Sequence, residues 1–277
     1  MIAPTIPDLI ARAASRPFLA EHLALGTGEH SGIAMARFNG FQLGSTYEPI
    51  FDISVHAYGQ SLGTAPEHAD RFGDELGFQA VTERIDGEPF DPQDPFERIE
   101  DDTQLVALDR MSRALHSINF FGAQRHGLLF LRVHERLLKS VRYDHGQHFS
   151  AVLVSFGLTP SRIVIELPSA AVAHRTFLGY LTKSYQHYGF KVAGNLQNAG
   201  QILSVSDMAR LDFIKMDAGA ALRDAMVKPL VGYANRLRIP LIFDRVTDEA
   251  QFDLLQQYDV RFVQGPLFAT HDHPRAA

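Results

Sequence analysis

The chain contains no cysteine, which excludes disulfides, thiolate metal sites and a cysteine nucleophile. It also lacks an excess of positive charge. Its 26 Lys and Arg stand against 32 Asp and Glu, giving a formal net charge of −6 and a pI near 6.1. Binding to a nucleic-acid duplex rests on a basic surface, so that class of partner is disfavoured. No stretch supplies the roughly 18 consecutive apolar residues of a membrane span. The opening Met1-Ile2-Ala3-Pro4-Thr5-Ile6-Pro7-Asp8 has neither a basic start nor a continuous apolar run. These absences predict a cytoplasmic protein. The glycines of Gly26-Thr27-Gly28-Glu29 are not followed by Gly-Lys-Ser/Thr, which makes a plain turn of what would otherwise invite comparison with a phosphate loop. A Gly-x-Gly-x-x-Gly turn after a strand is missing as well.

What is present is the composition of an ordinary globular domain, 45% hydrophobic and 21% charged, in a chain of 277 residues that suffices for one large core. From Thr103 to Arg125, residues Leu105, Leu108, Met111, Leu115, Ile118 and Phe121 recur at spacings of three and four, one face of an amphipathic helix. Helical patterns also cover Pro17 to Leu25, Gln147 to Phe156, Ala171 to Tyr188, Gly200 to Leu211, Ala220 to Arg238 and Asp248 to Tyr258. Strand-like runs cover Ser45 to Ser54, Gly77 to Val81, Gly127 to Val133 and Ile163 to Glu166. Four more cover Lys191 to Asn195, Phe213 to Asp217, Pro240 to Asp244 and Arg261 to Gln264. Asp86 to Asp102, rich in Pro and acid, reads as a surface loop. Eight strands alternating with helices predict an α/β fold, a TIM-like (β/α)8 barrel of parallel strands, with an open doubly wound sheet as the alternative. Several strands end in a polar residue, and a barrel gathers such residues at one mouth. Three parts follow: an amino-terminal segment over 1–44, the barrel over 45–270, and a flexible tail over 271–277 whose His271 and His273 read as a frayed terminus before a metal site.

The order of these strand ends resembles the EAL family of cyclic di-GMP phosphodiesterases over roughly residues 40 to 270. Tyr47-Glu48-Pro49-Ile50 stands in the place of a Tyr-Gln-Pro-Ile opening strand, and Gln79-Ala80-Val81 in that of Glu-Ala-Leu. Arg132 takes the place of a metal-binding asparagine. Glu166 matches the first acid of Glu-x-x-Glu, with Ser169 at the second. Asn195-Leu196-Gln197-Asn198 aligns with Asp-Asp-Phe-Gly, and Phe213-Ile214-Lys215-Met216-Asp217 keeps the Ile-Lys-Ile-Asp pattern. Asp244 retains one carboxylate of the next strand, while Thr247 replaces the other. Val263-Gln264-Gly265-Pro266-Leu267-Phe268 preserves the closing Gln-Gly element.

The resemblance implies a barrel whose active members hold two divalent ions with carboxylates. Here Gln79, Arg132, Ser169, Asn195, Leu196 and Thr247 depart from that pattern, so Glu166, Lys215, Asp244 and Gln264 are expected to be vestigial. Arg132 is expected to occupy a metal's space and pair with Glu166 or Asp244, in a cluster that needs no metal and no cofactor. Lys215 reads as a neutralising cation or a catalytic group, Gln264 as a tie or a ligand contact, and Asp217 as a helix-capping acid. His134, His145 and His148 read as surface or packing residues. The implied function is a catalytically inactive EAL-like regulator in bacterial signalling that acts through an unknown protein partner, with a homodimer in prospect. The alternatives are a metal-independent cyclic di-GMP receptor using Arg132, Lys215 and Gln264, and a residual phosphodiesterase. Glu48 and Glu83 add anions near a dianionic ligand and weigh against the receptor.

Overall fold

The structure, a computed structural model, describes residues 3–54, 72–86, 96, 99–140, 144–205 and 210–268. The tail over 271–277 and most of the loop expected over Asp86 to Asp102 lie outside the described residues. Among those described, ten strands form one sheet: β1 (Leu23–Leu25), β2 (Ala34–Phe38), β3 (Phe41–Asp52), β4 (Asp74–Arg84), β5 (Leu128–Arg132), β6 (Ile163–Leu167), β7 (Lys191–Leu196), β8 (Phe213–Asp217), β9 (Leu241–Asp244) and β10 (Phe262–Gln264). The order β3-β10-β9-β8-β7-β6-β5-β4 closes through pairing of β3 with β4, which makes the predicted eight-stranded barrel.

One feature of that prediction is corrected. The barrel is not parallel throughout, because β3 runs antiparallel to both β4 and β10. Antiparallel neighbours need no crossover, and β3 pairs with β4 from Leu43 opposite Arg84 to Asp52 opposite Asp74, well past the barrel wall. The projecting end of β3 carries β2, and β2 carries β1, both antiparallel. The helix expected over Pro17 to Leu25 therefore stops at His22 in α2 (Pro17–His22), because Leu23–Leu25 pairs with β2. Before it lies α1 (Ile6–Ala13), started by a Thr5 and Asp8 capping box.

The long predicted helix is α3 (Asp102–Gly122), whose N-cap Asp101 accepts from the amides of Thr103 and Gln104 at 3.1 and 3.2 Å. Leu105, Leu108, Met111, Leu115 and Ile118 are buried as the spacing requires. The opposite side is buried too, because α3 is packed by α1 as well as by β2 and β3. Most of its buried polar residues are partnered, with the Ser112 hydroxyl an exception. Asn119 bonds the amide and carbonyl of Ala34, Ser45 and Thr82 hydroxyls bond the two ring nitrogens of His116, and Arg113 pairs with Asp109 at 2.7 Å. Burial pushes the His116 pKa down to about 3, so the ring is neutral.

The remaining helices follow the strands: α4 (Glu135–Ser140), α5 (Gln147–Phe156), α6 (Ser169–Val172), α7 (Arg175–His187), α8 (Ala218–Arg223), α9 (Val227–Leu237) and α10 (Glu249–Gln257). Two predicted helices are each split. The second break falls at Ala225, in the left-handed region at φ 52°, where no regular helix continues. The segment expected to be helical over Gly200 to Leu211 contains a short 3-10 helix over Ala199–Ser204. No helix among the described residues is long and apolar enough to cross a membrane.

Candidate functional site

Side chains alternate along each strand, so a barrel interior is built in layers. One layer here is an apolar plug of Ile50, Phe130, Val164, Ala193, Phe213, Ile242 and Phe262. Two residues further toward the mouth the parallel strands carry Arg132, Glu166, Asn195, Lys215, Asp244 and Gln264. Antiparallel β3 supplies Glu48 by the same step in the reverse direction. On β4 the plug position is Gly77, where a Cβ would lie 2.2 Å from the Leu128 carbonyl oxygen, and the mouth position is Gln79.

Lys215 is the centre of this polar layer and is 1% exposed. Its Nζ donates to Gln79 Oε1 at 2.6 Å, Gln264 Oε1 at 2.7 Å and Glu166 Oε2 at 3.2 Å. An ammonium has three N–H groups, and three oxygens receive them. Gln264 Nε2 in turn donates to Glu48 Oε2 at 2.9 Å and Gln79 Oε1 at 3.0 Å. The other oxygen of Glu166 accepts from Asn195 Nδ2 at 2.9 Å and faces Arg132 Nε at 3.5 Å. Burial by itself would raise the Glu166 carboxyl, but Lys215, Arg132 and Asn195 outweigh it and hold the group below its ordinary range. Gln79 Nε2 and Asn195 Oδ1 are left without a protein partner.

Asp244 stands in a different condition. Burial raises its pKa, Lys215 pulls it down and the Glu166 charge pushes it up, and the net direction is upward. It lines a mouth cavity of about 460 Å³ together with Arg132, Asn195, Leu196, Arg223 and Arg245.

The structure thus brings Gln79, Arg132, Glu166, Asn195, Lys215, Asp244 and Gln264 to one mouth. Ser169, the first residue of α6, and Leu196, the last of β7, line the same cavity. Thr247 does not join them: its hydroxyl bonds Asp248 and its amide bonds Gln251, at the start of α10. Asp217 caps α8 through the Ala220 amide at 2.7 Å, as expected of a capping acid. Arg132 pairs with Glu166, as expected, but does so from the rim. Its side chain is 54% exposed, while Lys215, in the same layer, is buried at the centre. His134 stacks on Phe96, His145 is buried beside Tyr185, and His148 is exposed.

Sequence reasoning missed Glu48 as a member of the cluster, although its place two residues before Ile50 carried the signal. It also passed over Gly59-Gln60-Ser61-Leu62-Gly63, which has the spacing of a hydrolase elbow but lies outside the described residues. Among the described residues no three His, Asp or Glu side chains gather as a metal-ligand group.

A family model described as the EAL domain matches residues 75–271, well over half of the chain. No curated protein matches it. Solved structures do. A standalone EAL protein from Vibrio cholerae O395, bound to c-di-GMP, is 15% identical with a TM-score of 0.61, over 83% of this chain and 91% of that one. The EAL domain of Mycobacterium smegmatis DcpA is 18% identical with a TM-score of 0.57, over 82% and 92%. The Bacillus subtilis YkuI protein, in complex with c-di-GMP and calcium, is 16% identical with a TM-score of 0.61, over 82% and 55%.

Proposed function

The chain belongs to the EAL domain family, and from that premise we propose that it is a signalling protein that does not hydrolyse cyclic di-GMP and acts by contact with a protein partner. One observation carries this reading: all three Lys215 donors are taken by Gln79, Gln264 and Glu166, at the centre of the mouth. Two-metal hydrolysis needs carboxylates that hold ions close together, and magnesium demands octahedral coordination by hard oxygens. A pair of divalent ions does not fit this donor set. An ion at Glu166 would have to displace an ammonium already bonded there, beside the arginine cation of Arg132. Nor has Lys215 a spare donor with which to orient a water.

A homodimer belongs with this reading, and light scattering should then give twice the 30.8 kDa of one chain. The second reading, a metal-independent receptor, is supported by the mouth cavity and by Arg132 at its rim. Calorimetric titration with cyclic di-GMP, in magnesium and again in chelator, separates the two. The first reading expects no heat of binding in either buffer. Saturable binding that survives chelation replaces it with the receptor, and binding that requires magnesium overturns both.

A further inference from the structure

The mouth is electrically divided. On the side of β5, β8 and β9 the cavity is lined by Arg132, Arg223 and Arg245, whereas Glu48 and Glu83 stand on β3 and β4. The carboxylates of the arginine side are largely engaged. Glu166 is bonded to Lys215 and Asn195, and Asp217 caps α8 while facing Arg245 at 3.4 Å. Arg245 keeps 71% of its side chain exposed. No aromatic side chain lines this cavity among the described residues. Nucleobases are commonly held by stacking on aromatic faces, while planar carboxylates are held by arginine forks. A net charge of −6 opposes an acidic partner overall, so a local group of arginines favours where such a partner can dock.

We propose that the arginine side of the barrel mouth seats an acidic segment of the protein partner, its Asp or Glu carboxylates meeting Arg132, Arg223 and Arg245. This rests on the reading of the mouth as a partner-binding, non-hydrolysing surface, and it specifies the chemistry of what binds there. A ligand confined to this side meets the three arginines and Lys215, with Asp244 as the remaining carboxyl in the cavity. One that spans the whole mouth also meets Glu48.

The test is fluorescence anisotropy of the whole protein with a labelled octapeptide of alternating Asp and Glu as probe. The expected result is saturable binding that weakens about tenfold or more in the Arg223→Ala/Arg245→Ala variant and falls with added salt. Lys191→Ala, at the opposite end of the barrel on the first residue of β7, should bind as the parent does. Both arginines are exposed, and circular dichroism of the variant checks that it is folded. Absence of saturable binding, or equal binding by parent and arginine variant, overturns the proposal. So does cyclic di-GMP binding at these arginines while the peptide fails. If the peptide fails and calorimetry also finds no nucleotide binding, only the acidic-segment proposal falls. If nucleotide is hydrolysed, the underlying reading falls with it.

Discussion

Replacing Lys215 by Met removes the one buried cation from a layer that was assembled around it. Methionine keeps a similar length and volume, so the cost is electrostatic and not a cavity. Glu166 loses its closest opposite charge while staying 1% exposed, and Gln264 Oε1 loses a bond of 2.7 Å. Gln79 Oε1 keeps its bond from Gln264. Stripping one partner from a buried pair costs about 3–5 kcal/mol, and an orphaned acceptor about 1–3 kcal/mol. Asn195 and the rim cation Arg132 remain beside Glu166 and recover part of this. The expected loss is therefore about 4 kcal/mol near neutral pH, a shift of roughly 1–2 M in the urea midpoint. The pH dependence fixes the cause. In the parent the Glu166 pKa is depressed, so its stabilisation is present above the unfolded pKa and is lost as pH falls through the folded pKa. In the variant burial acts without the ammonium and raises that pKa, so the difference between the two proteins shrinks as pH falls toward the unfolded pKa. A second change, Glu166→Gln, should restore most of the stability of Lys215→Met. A loss below about 1 kcal/mol, or no recovery in the double variant, would refute the ion-pair account.

Asp244→Asn should be neutral to stabilising at pH 8, because the raised pKa of Asp244 marks an ionised form that costs stability as pH rises; urea titrations should show the gain vanish as pH falls and Asp244 protonates. Asp101→Ala removes the cap of α3 and should cost about 1 kcal/mol in the same assay, while Asp101→Asn should cost much less. Gly265→Ala should abolish soluble expression, because Gly265 sits at φ 151° and a Cβ there would lie 2.2 Å from the Val246 amide nitrogen.

Six of the eight barrel strands lie within about two residues of their predicted bounds, because short apolar runs ending in a polar residue are a strong local signal. The exceptions are the antiparallel pair: β3 reaches back to Phe41, beyond its expected start at Ser45, and β4 runs Asp74–Arg84, beyond Gly77 to Val81 at both ends. The direction of β3 was not legible, since polarity is a property of pairing and not of a strand's own residues. The same holds for Leu23–Leu25, whose helical pattern gave way to a partner eleven residues later in the chain. At the mouth, the motif positions other than Thr247 converge, but their layering was not legible. Lys215 and Arg132 carry the same charge and each stands two residues beyond a plug phenylalanine, so the strand pattern does not tell which of them is buried. The polar interior of α3 left no signal in the apolar spacing, because Asp109, His116 and Asn119 are held by partners 4, 71 and 85 residues away.

The most direct test of the account is incubation of the purified protein with cyclic di-GMP in magnesium and in manganese, with chromatographic analysis of the nucleotide. A mouth closed around Lys215 predicts no linear product above the protein-free control. Turnover that stops on chelation and returns with added metal would contradict it.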